Sequence, residues 1–193
     1  MAHVLFITGS LRKASYNSKL LEHFATHLPW DWTVDFLAQD AVSLPLFNEE
    51  LENDRGMQAL VESLHQRFSN ADGFVIASPE YNGQVSAYLK NTIDWVSRLT
   101  YIDASKGNPF LDKPTLLSSA STSSRGGAVG ISSARDLVAY VGASVIGGSI
   151  CIGNAISKCS NGEFAPSDAE AAEIQFHLGR WLSHVEMSSL KGQ

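Results

Sequence analysis

The chain has 193 residues, 44% of them hydrophobic and 18% charged, with 15 Gly and only 6 Pro. That length suffices for one well-cored domain, 1–193, and the composition excludes a disordered, collagen-like or repeat-built chain. A formal charge of −6 argues against general affinity for nucleic acid or anionic membrane, so any bound anion needs a local, focused site.

The opening MAHVLFITGSLRK has neither the charged leader nor the long apolar run of a signal peptide. No stretch approaches the ~20 apolar residues that a membrane-spanning helix needs. Cys151 and Cys159 flank a Gly/Asn loop and form neither a metal spacing nor a CxxC pair. Free thiols in a reducing compartment, and hence a cytoplasmic location, are the expectation.

His3 to Thr8 (HVLFIT) predicts a buried strand closed by Gly9, and Leu20, Leu21, Phe24, Ala25 and Leu28 predict a helix from about Asn17 to His27. Thr33 to Ala38 alternates as a second strand. A polar loop containing Pro45 leads to a helix from about Arg55 to Phe68, and Gly73 to Ala77 is the third strand. Val85, Leu89, Ile93 and Val96 share one face of the next helix. Pro114 to Ser119 supplies strand four, Ala134, Leu137, Val138 and Val141 mark another helix, and Ser144 to Ile152 covers strand five. A last helix carries Ile174, Leu178, Trp181, Leu182 and Val185 inward, with Pro166-Ser167-Asp168 as its start signal. Strands alternating with helices in this way require an α/β fold, a parallel sheet covered on both faces. Right-handed crossovers at this size favour the strand order 2-1-3-4-5.

In such folds ligands bind beyond the carboxyl ends of the strands, near the switch in strand order. That rule selects three loops: Gly9 to Tyr16, Ser78 to Gln84 and Ala120 to Gly127. The first reads GSLRKASYN and runs into a helix start. Backbone N–H groups there, hydroxyls and the Arg12 guanidinium form a phosphate cradle. The same residues would also make a plain helix cap with solvated basic neighbours. Neither GxxxxGK[ST] nor GxGxxG follows strand one, which argues against an ATPase or a dinucleotide-binding domain. The second loop, SPEYNGQ, has Pro79 and Gly83 for a sharp turn, donor and acceptor groups on Asn82, and a flat apolar face on Tyr81. A planar, hydrogen-bonding ring needs that combination, although a tight turn with an exposed tyrosine would read alike. The third, SASTSSRGGAVG, is Ser/Gly-rich and lets backbone amides approach a ligand closely; it would equally serve as a connector.

Taken together, GSLRKASYN, LPLFNEELE, SPEYNGQVSAYLKNTIDW and SSRGGAVG resemble the NADPH-dependent FMN reductase family of flavodoxin-like proteins. The resemblance runs from residue 3 to about residue 148. It implies a flavodoxin-like three-layer sandwich holding FMN, with NADPH or NADH as co-substrate. It further implies that Ser10, Arg12, Ser15 and Asn17 hold the FMN phosphate, and that Pro79, Glu80, Tyr81, Asn82 and Gly83 line the ribityl chain and ring, Glu80 through its backbone. Ser121, Ser124, Arg125, Gly126 and Gly127 would close the other side. A homodimer or homotetramer is also implied, with the Leu46 to Leu51 loop and the Leu89 to Trp95 helix as interface candidates. Ser86, where the family often has proline, and the stretch Tyr101 to Asp112 are individual to this chain.

The three loops contain no His or Cys and Glu80 as their sole acid, so no acid–base dyad is expected and the flavin carries the hydride chemistry. Arg12 or Arg125 would also attract the phosphates of a nicotinamide cofactor. His23 and His27, four apart on a helix, lack a third ligand for a metal. His177 and His184 are expected on the surface of the last helix, and Trp95 and Trp181 in the core or an interface. The serines between 118 and 124 lack a GxSxG elbow. The expected activity is an oxidoreductase that passes electrons from NAD(P)H through FMN to a small acceptor: a flavin, quinone, azo compound or metal oxyanion. The alternatives are a non-enzymatic electron carrier and a binding module that has lost the flavin.

Overall fold

The computed structural model describes residues 1–37, 44–159 and 162–191. In chain order the elements are β1 (His3–Thr8), α1 (Tyr16–Ala25), β2 (Thr33–Leu37), α2 (Arg55–Asn70), β3 (Gly73–Ala77), the two short strands β4 (Glu80–Tyr81) and β5 (Gln84–Val85), α3 (Ala87–Ile102), β6 (Pro114–Ala120), α4 (Ala128–Tyr140), β7 (Ser144–Val145), β8 (Ile150–Ile152), α5 (Ala155–Lys158) and α6 (Asp168–Lys191). Ala38, expected in the second strand, lies outside the described residues.

The main sheet runs β2-β1-β3-β6, and both β7 and β8 pair with β6, all in parallel. The expected order is therefore present, with strand five in two pieces. The break falls at Gly147, whose φ of +70 turns the backbone out of the ladder. Arg135 on α4 fills the gap, donating to the Gly147 carbonyl at 3.3 Å and to Ser149 Oγ at 3.2 Å.

Alternation along β1 sends Val4 and Phe6 to one face of the sheet and Leu5 and Ile7 to the other. The first face packs under α1 and α6, and the second under α2, α3 and α4. Both faces are apolar because a parallel sheet is covered on each side. Trp181 sits fully buried on the α6 side, edge-on to Phe6 and Trp32, with its indole N–H donating to the Pro114 carbonyl at 2.9 Å. His177, expected on the surface, is half-buried and accepts the Gly148 N–H at 3.3 Å. At the start of α6, Glu170 accepts both the backbone N–H of Ser167 at 2.9 Å and its hydroxyl at 2.7 Å, which is one half of a capping box.

One further expectation needs correction. Val85 does not continue the apolar face of α3; it lies in β5. The Ser86 hydroxyl accepts the Leu89 N–H at 3.2 Å and caps the helix, so α3 begins one residue later despite the favourable spacing. Within the Leu89 to Trp95 helix, Leu89, Ile93 and Trp95 turn inward at 0–2% exposure, and Lys90 and Asp94 face outward. Trp95 packs edge-on to Phe47 and donates to the Pro45 carbonyl at 2.9 Å. Asn91 also donates to Pro45 O, and its oxygen accepts the Phe47 N–H at 2.7 Å, stapling the LPLF segment to α3.

The stretch Tyr101 to Asp112 is anchored to the domain. Phe110 inserts beside Phe68 and Phe74, Thr100 donates to the Gly107 carbonyl at 2.8 Å, and Asn108 donates to Val141 O at 2.8 Å. His65 also reaches Gly107 O, at 3.2 Å, through Nε2, which leaves Nδ1 to accept from Ser69. Burial holds its pKa below the ordinary imidazole value, which fits a ring that donates on one side and accepts on the other.

Candidate cofactor site

Parallel register brings three strand ends to one rim: Thr8 lies opposite Ala77, and Ala77 opposite Ser118. The loops that leave them are tied together just above the sheet. Gly9 N–H donates to Ala77 O at 2.7 Å, Ser78 N–H to Ser118 O at 3.0 Å, and the Ser86 hydroxyl to Gly9 O at 2.6 Å. A side chain at Gly9 would meet Ser78 Oγ at 2.9 Å, so the first two loops touch because residue 9 has none. Asn17 joins the first loop to the third. Its amide nitrogen donates to Ala120 O at 3.1 Å and its oxygen accepts the Ala120 N–H at 2.9 Å.

In the first loop, Ser10 and Ser15 are almost fully buried. Ser15 caps α1 by accepting the Ser18 N–H at 3.2 Å, and Ser10 Oγ accepts the Arg12 N–H at 3.3 Å. The N–H groups at the start of a helix have no carbonyl one turn back, so those of Tyr16 and Asn17 are left for a ligand. Arg12 is exposed, with its guanidinium 5.2 Å from the Tyr16 ring centre. The Asn17 side chain stands apart from this group. Its two bonds to Ala120 make it a strut between loops and leave one amide N–H uncommitted.

The second loop is a hairpin. Asn82 and Gly83 both take positive φ, +53 and +74, so the turn is made by the Asn-Gly pair and Pro79 only leads into it. Tyr81 is 52% exposed on the rim. The Glu80 carboxylate crosses to α4 and accepts the Gly130 N–H at 2.9 Å.

The third loop depends on two glycines. Gly126 and Gly127 both have positive φ, and added side chains would lie 2.6 Å from the Cys151 backbone and 2.2 Å from Ser119 Oγ. Their backbone therefore presses directly onto the sheet end. Ser119 Oγ, fully buried beneath Gly127, has no partner among the described residues. Ser124 and Arg125 are exposed above them, and Ser121 is half-buried. Cys151, half-buried under this loop, has its thiol pushed up to about 11 by burial, with Glu173 and Glu80 adding to the effect. It is a neutral thiol at physiological pH and not a nucleophile.

The sequence-derived site residues thus lie on three loops at a common rim, with Asn17 just beyond the first of them in the opening turn of α1. Sequence reasoning missed Ser78, Ser86 and Gly130, which hold the loops to one another. Ser86 alone carried a readable signal, as a serine directly before an apolar helical run. Among the described residues no group of three or more His, Cys, Asp or Glu is placed to hold a metal, and the His23 and His27 rings meet at a tilt of 58° with centres 4.8 Å apart. No described helix is long and apolar enough to cross a membrane.

The family model for NADPH-dependent FMN reductases matches residues 2–157. The chain belongs to that family. Among curated relatives, a quinone reductase of Escherichia coli K12 is 37% identical over 125 residues, covering 65% of this chain and 63% of that protein. An NAD(P)H-dependent FMN reductase of Pseudomonas aeruginosa is 36% identical over 118 residues, covering 61% and 59%. The chain thus matches about three fifths of the length of these relatives. Among solved structures, the flavoenzyme NAD(P)H:(acceptor) oxidoreductase FerB of Paracoccus denitrificans superposes with a TM-score of 0.81 at 23% identity, over 97% of this chain and 99% of that one. That likeness establishes a flavodoxin-like α/β fold for this chain.

Proposed function

We propose that this FMN reductase family member is an oxidoreductase that uses bound FMN to carry electrons from NADPH or NADH to a small acceptor such as a quinone, free flavin, azo compound or metal oxyanion. The convergence of a helix-start cradle, an Asn-Gly hairpin and a glycine-floored loop at one rim carries this reading. The residues fit the cofactor. Backbone N–H groups at the start of α1, the Ser10 and Ser15 hydroxyls and Arg12 suit a phosphate, and they concentrate positive charge in a chain of net charge −6. Pro79 to Gly83 would flank the ribityl chain and one edge of the ring. Ser121, Ser124, Arg125 and the close-packed backbone of Gly126 and Gly127 would border the other.

When bound, FMN supplies acceptance of hydride from the nicotinamide and onward delivery to the acceptor. The protein's part is to hold the phosphate, fix the plane of the ring and leave one face open beside Tyr81 for a second planar molecule. Holding donor and acceptor in contact supplies much of the rate. Glu80 is the single carboxylate of the three loops, and it is engaged with Gly130, so no proton relay at the rim is invoked.

The test is the flavin spectrum of the purified protein, with NADPH and NADH added separately in the absence of air. Rapid bleaching is expected. A yellow protein that neither nucleotide reduces would be a carrier, and one colourless in excess FMN would lack the cofactor altogether. Arg12→Ala should weaken FMN binding roughly ten- to a hundredfold by removing a charge-assisted contact; unchanged affinity would dismiss the phosphate assignment.

Self-association is part of this proposal. Tyr101, Leu111 and Tyr140 are 77%, 59% and 89% exposed, an unusual cluster of large apolar side chains. Tyr101 and Tyr140 border a hollow of about 580 Å³ beside α3 and α4. A second copy covering this face predicts a dimer or tetramer by light scattering, and a monomer at micromolar concentration would refute it.

A further inference from the structure

The start of α4 is built in an unusual way. Its N-cap is Gly127 in a left-handed conformation, with no side chain to accept a helix N–H. Ser, Thr, Asp or Asn would ordinarily stand there. Here a side chain is excluded, because its first carbon would lie 2.2 Å from the buried Ser119 hydroxyl oxygen. The close approach that makes the loop a floor for a ligand therefore deprives the helix of its own cap.

The missing acceptor comes from the hairpin. Glu80, on β4, reaches fifty residues forward and accepts the N–H of Gly130, the third residue of α4, at 2.9 Å. A carboxylate at that place also opposes the positive end of the helix dipole. Gly130 is shaped for the contact, since an added side chain would meet Glu80 Cβ at 2.9 Å and Gln84 O at 3.0 Å. One turn on, Ser133 donates to Gln84 Oε1 at 2.8 Å and accepts the Val85 N–H at 3.4 Å. The hairpin thus lies along the first two turns of α4.

We propose that Glu80 is a positioning residue: by capping α4 from the hairpin, it locks the second and third loops into one rigid wall of the cofactor seat. The inference rests on the functional reading above for the word cofactor, but the coupling itself belongs to the polypeptide. Glu80 then acts on the flavin through placement, and its loss loosens the wall while leaving the phosphate cradle on α1 intact.

Three variants of the full chain test this: Glu80→Ala, Glu80→Gln and, as a control of similar general destabilisation, Arg67→Ala, which breaks the ion pair of α2 with Asp35 on the edge strand β2 and touches neither the hairpin nor α4. The readouts are amide hydrogen exchange, with and without FMN, and FMN affinity by quenching of flavin fluorescence. In Glu80→Ala, exchange should rise selectively in residues 80–85 and 128–133. FMN affinity should fall about three- to thirtyfold, the range expected for a lost cap. Glu80→Gln keeps an acceptor oxygen and should restore most of the local protection. Arg67→Ala should lower the melting temperature without either signature. Unchanged exchange at the start of α4 in Glu80→Ala, or an increase spread evenly over the sheet, overturns the proposal, and so does unchanged FMN affinity. If the wild-type protein bound no FMN, the functional reading would fall, and the exchange pattern in its absence would still decide whether Glu80 couples the two segments.

Discussion

Trp181→Ala should lower the stability of the protein by about 3–5 kcal/mol, the usual cost of emptying a buried large aromatic site. The site cannot collapse easily. Trp181 is fully buried between Phe6 of the central strand and Trp32, and Gly73 already lets α6 sit so close that a side chain there would be 2.7 Å from Val185. The alanine variant also loses the indole N–H bond to the Pro114 carbonyl. Against a typical total of about 5–15 kcal/mol, that loss would place the protein near its unfolding threshold. Trp181→Phe retains the ring and removes the donor, and should cost about 1–3 kcal/mol. Urea unfolding of the two variants measures both quantities, and a loss under about 1.5 kcal/mol for the alanine variant would contradict this account of the α6 face.

For the site itself, the largest effect should follow from Asn17→Ala. Asn17 and Ala120 are each 3% exposed, and the amide makes both of the bonds that join the first loop to the third. Alanine leaves a buried N–H and a buried C=O without partners, at roughly 1–3 kcal/mol each. A stability loss of about 2–4 kcal/mol is expected, accompanied by weaker FMN binding because the cradle and the glycine floor are no longer held at one distance. Asn17→Asp preserves the acceptor for Ala120 N–H but sets a carboxylate oxygen against the Ala120 carbonyl. It should therefore recover little of the stability. Thermal unfolding of both variants, followed by FMN titration, checks this; an alanine variant as stable as the parent would mean that Asn17 is not a strut.

Asn17 also marks the boundary between what residue order reveals and what it hides. Its place in GSLRKASYN at a helix start reads equally well as a phosphate ligand or as a cap, since every chemistry it offers is local to that segment. The partner it uses is Ala120, and the two meet because β1 and β6 flank β3 in the sheet. Glu80 is a similar case. Reading along the chain assigns it to a turn, whereas its carboxylate is engaged fifty residues away on α4. Val85 errs in the opposite direction, since four-residue spacing to Leu89 suits a helix, but the Ser86 hydroxyl cuts the helix off.

The amino-acid order alone determined the alternation of strands and helices, the order of the parallel sheet, and the three loops beyond the strand ends. Those features follow from hydrophobic periodicity and turn chemistry, which act over a few residues and are written directly in the chain. Only the tertiary structure decided which polar side chain meets which backbone group, where strand five breaks, how the Tyr101 to Asp112 stretch docks through Phe110 and His65, and which face of α3 is left outward. Such pairings depend on packing distances of a few tenths of an ångström between segments dozens of residues apart. No local pattern records them.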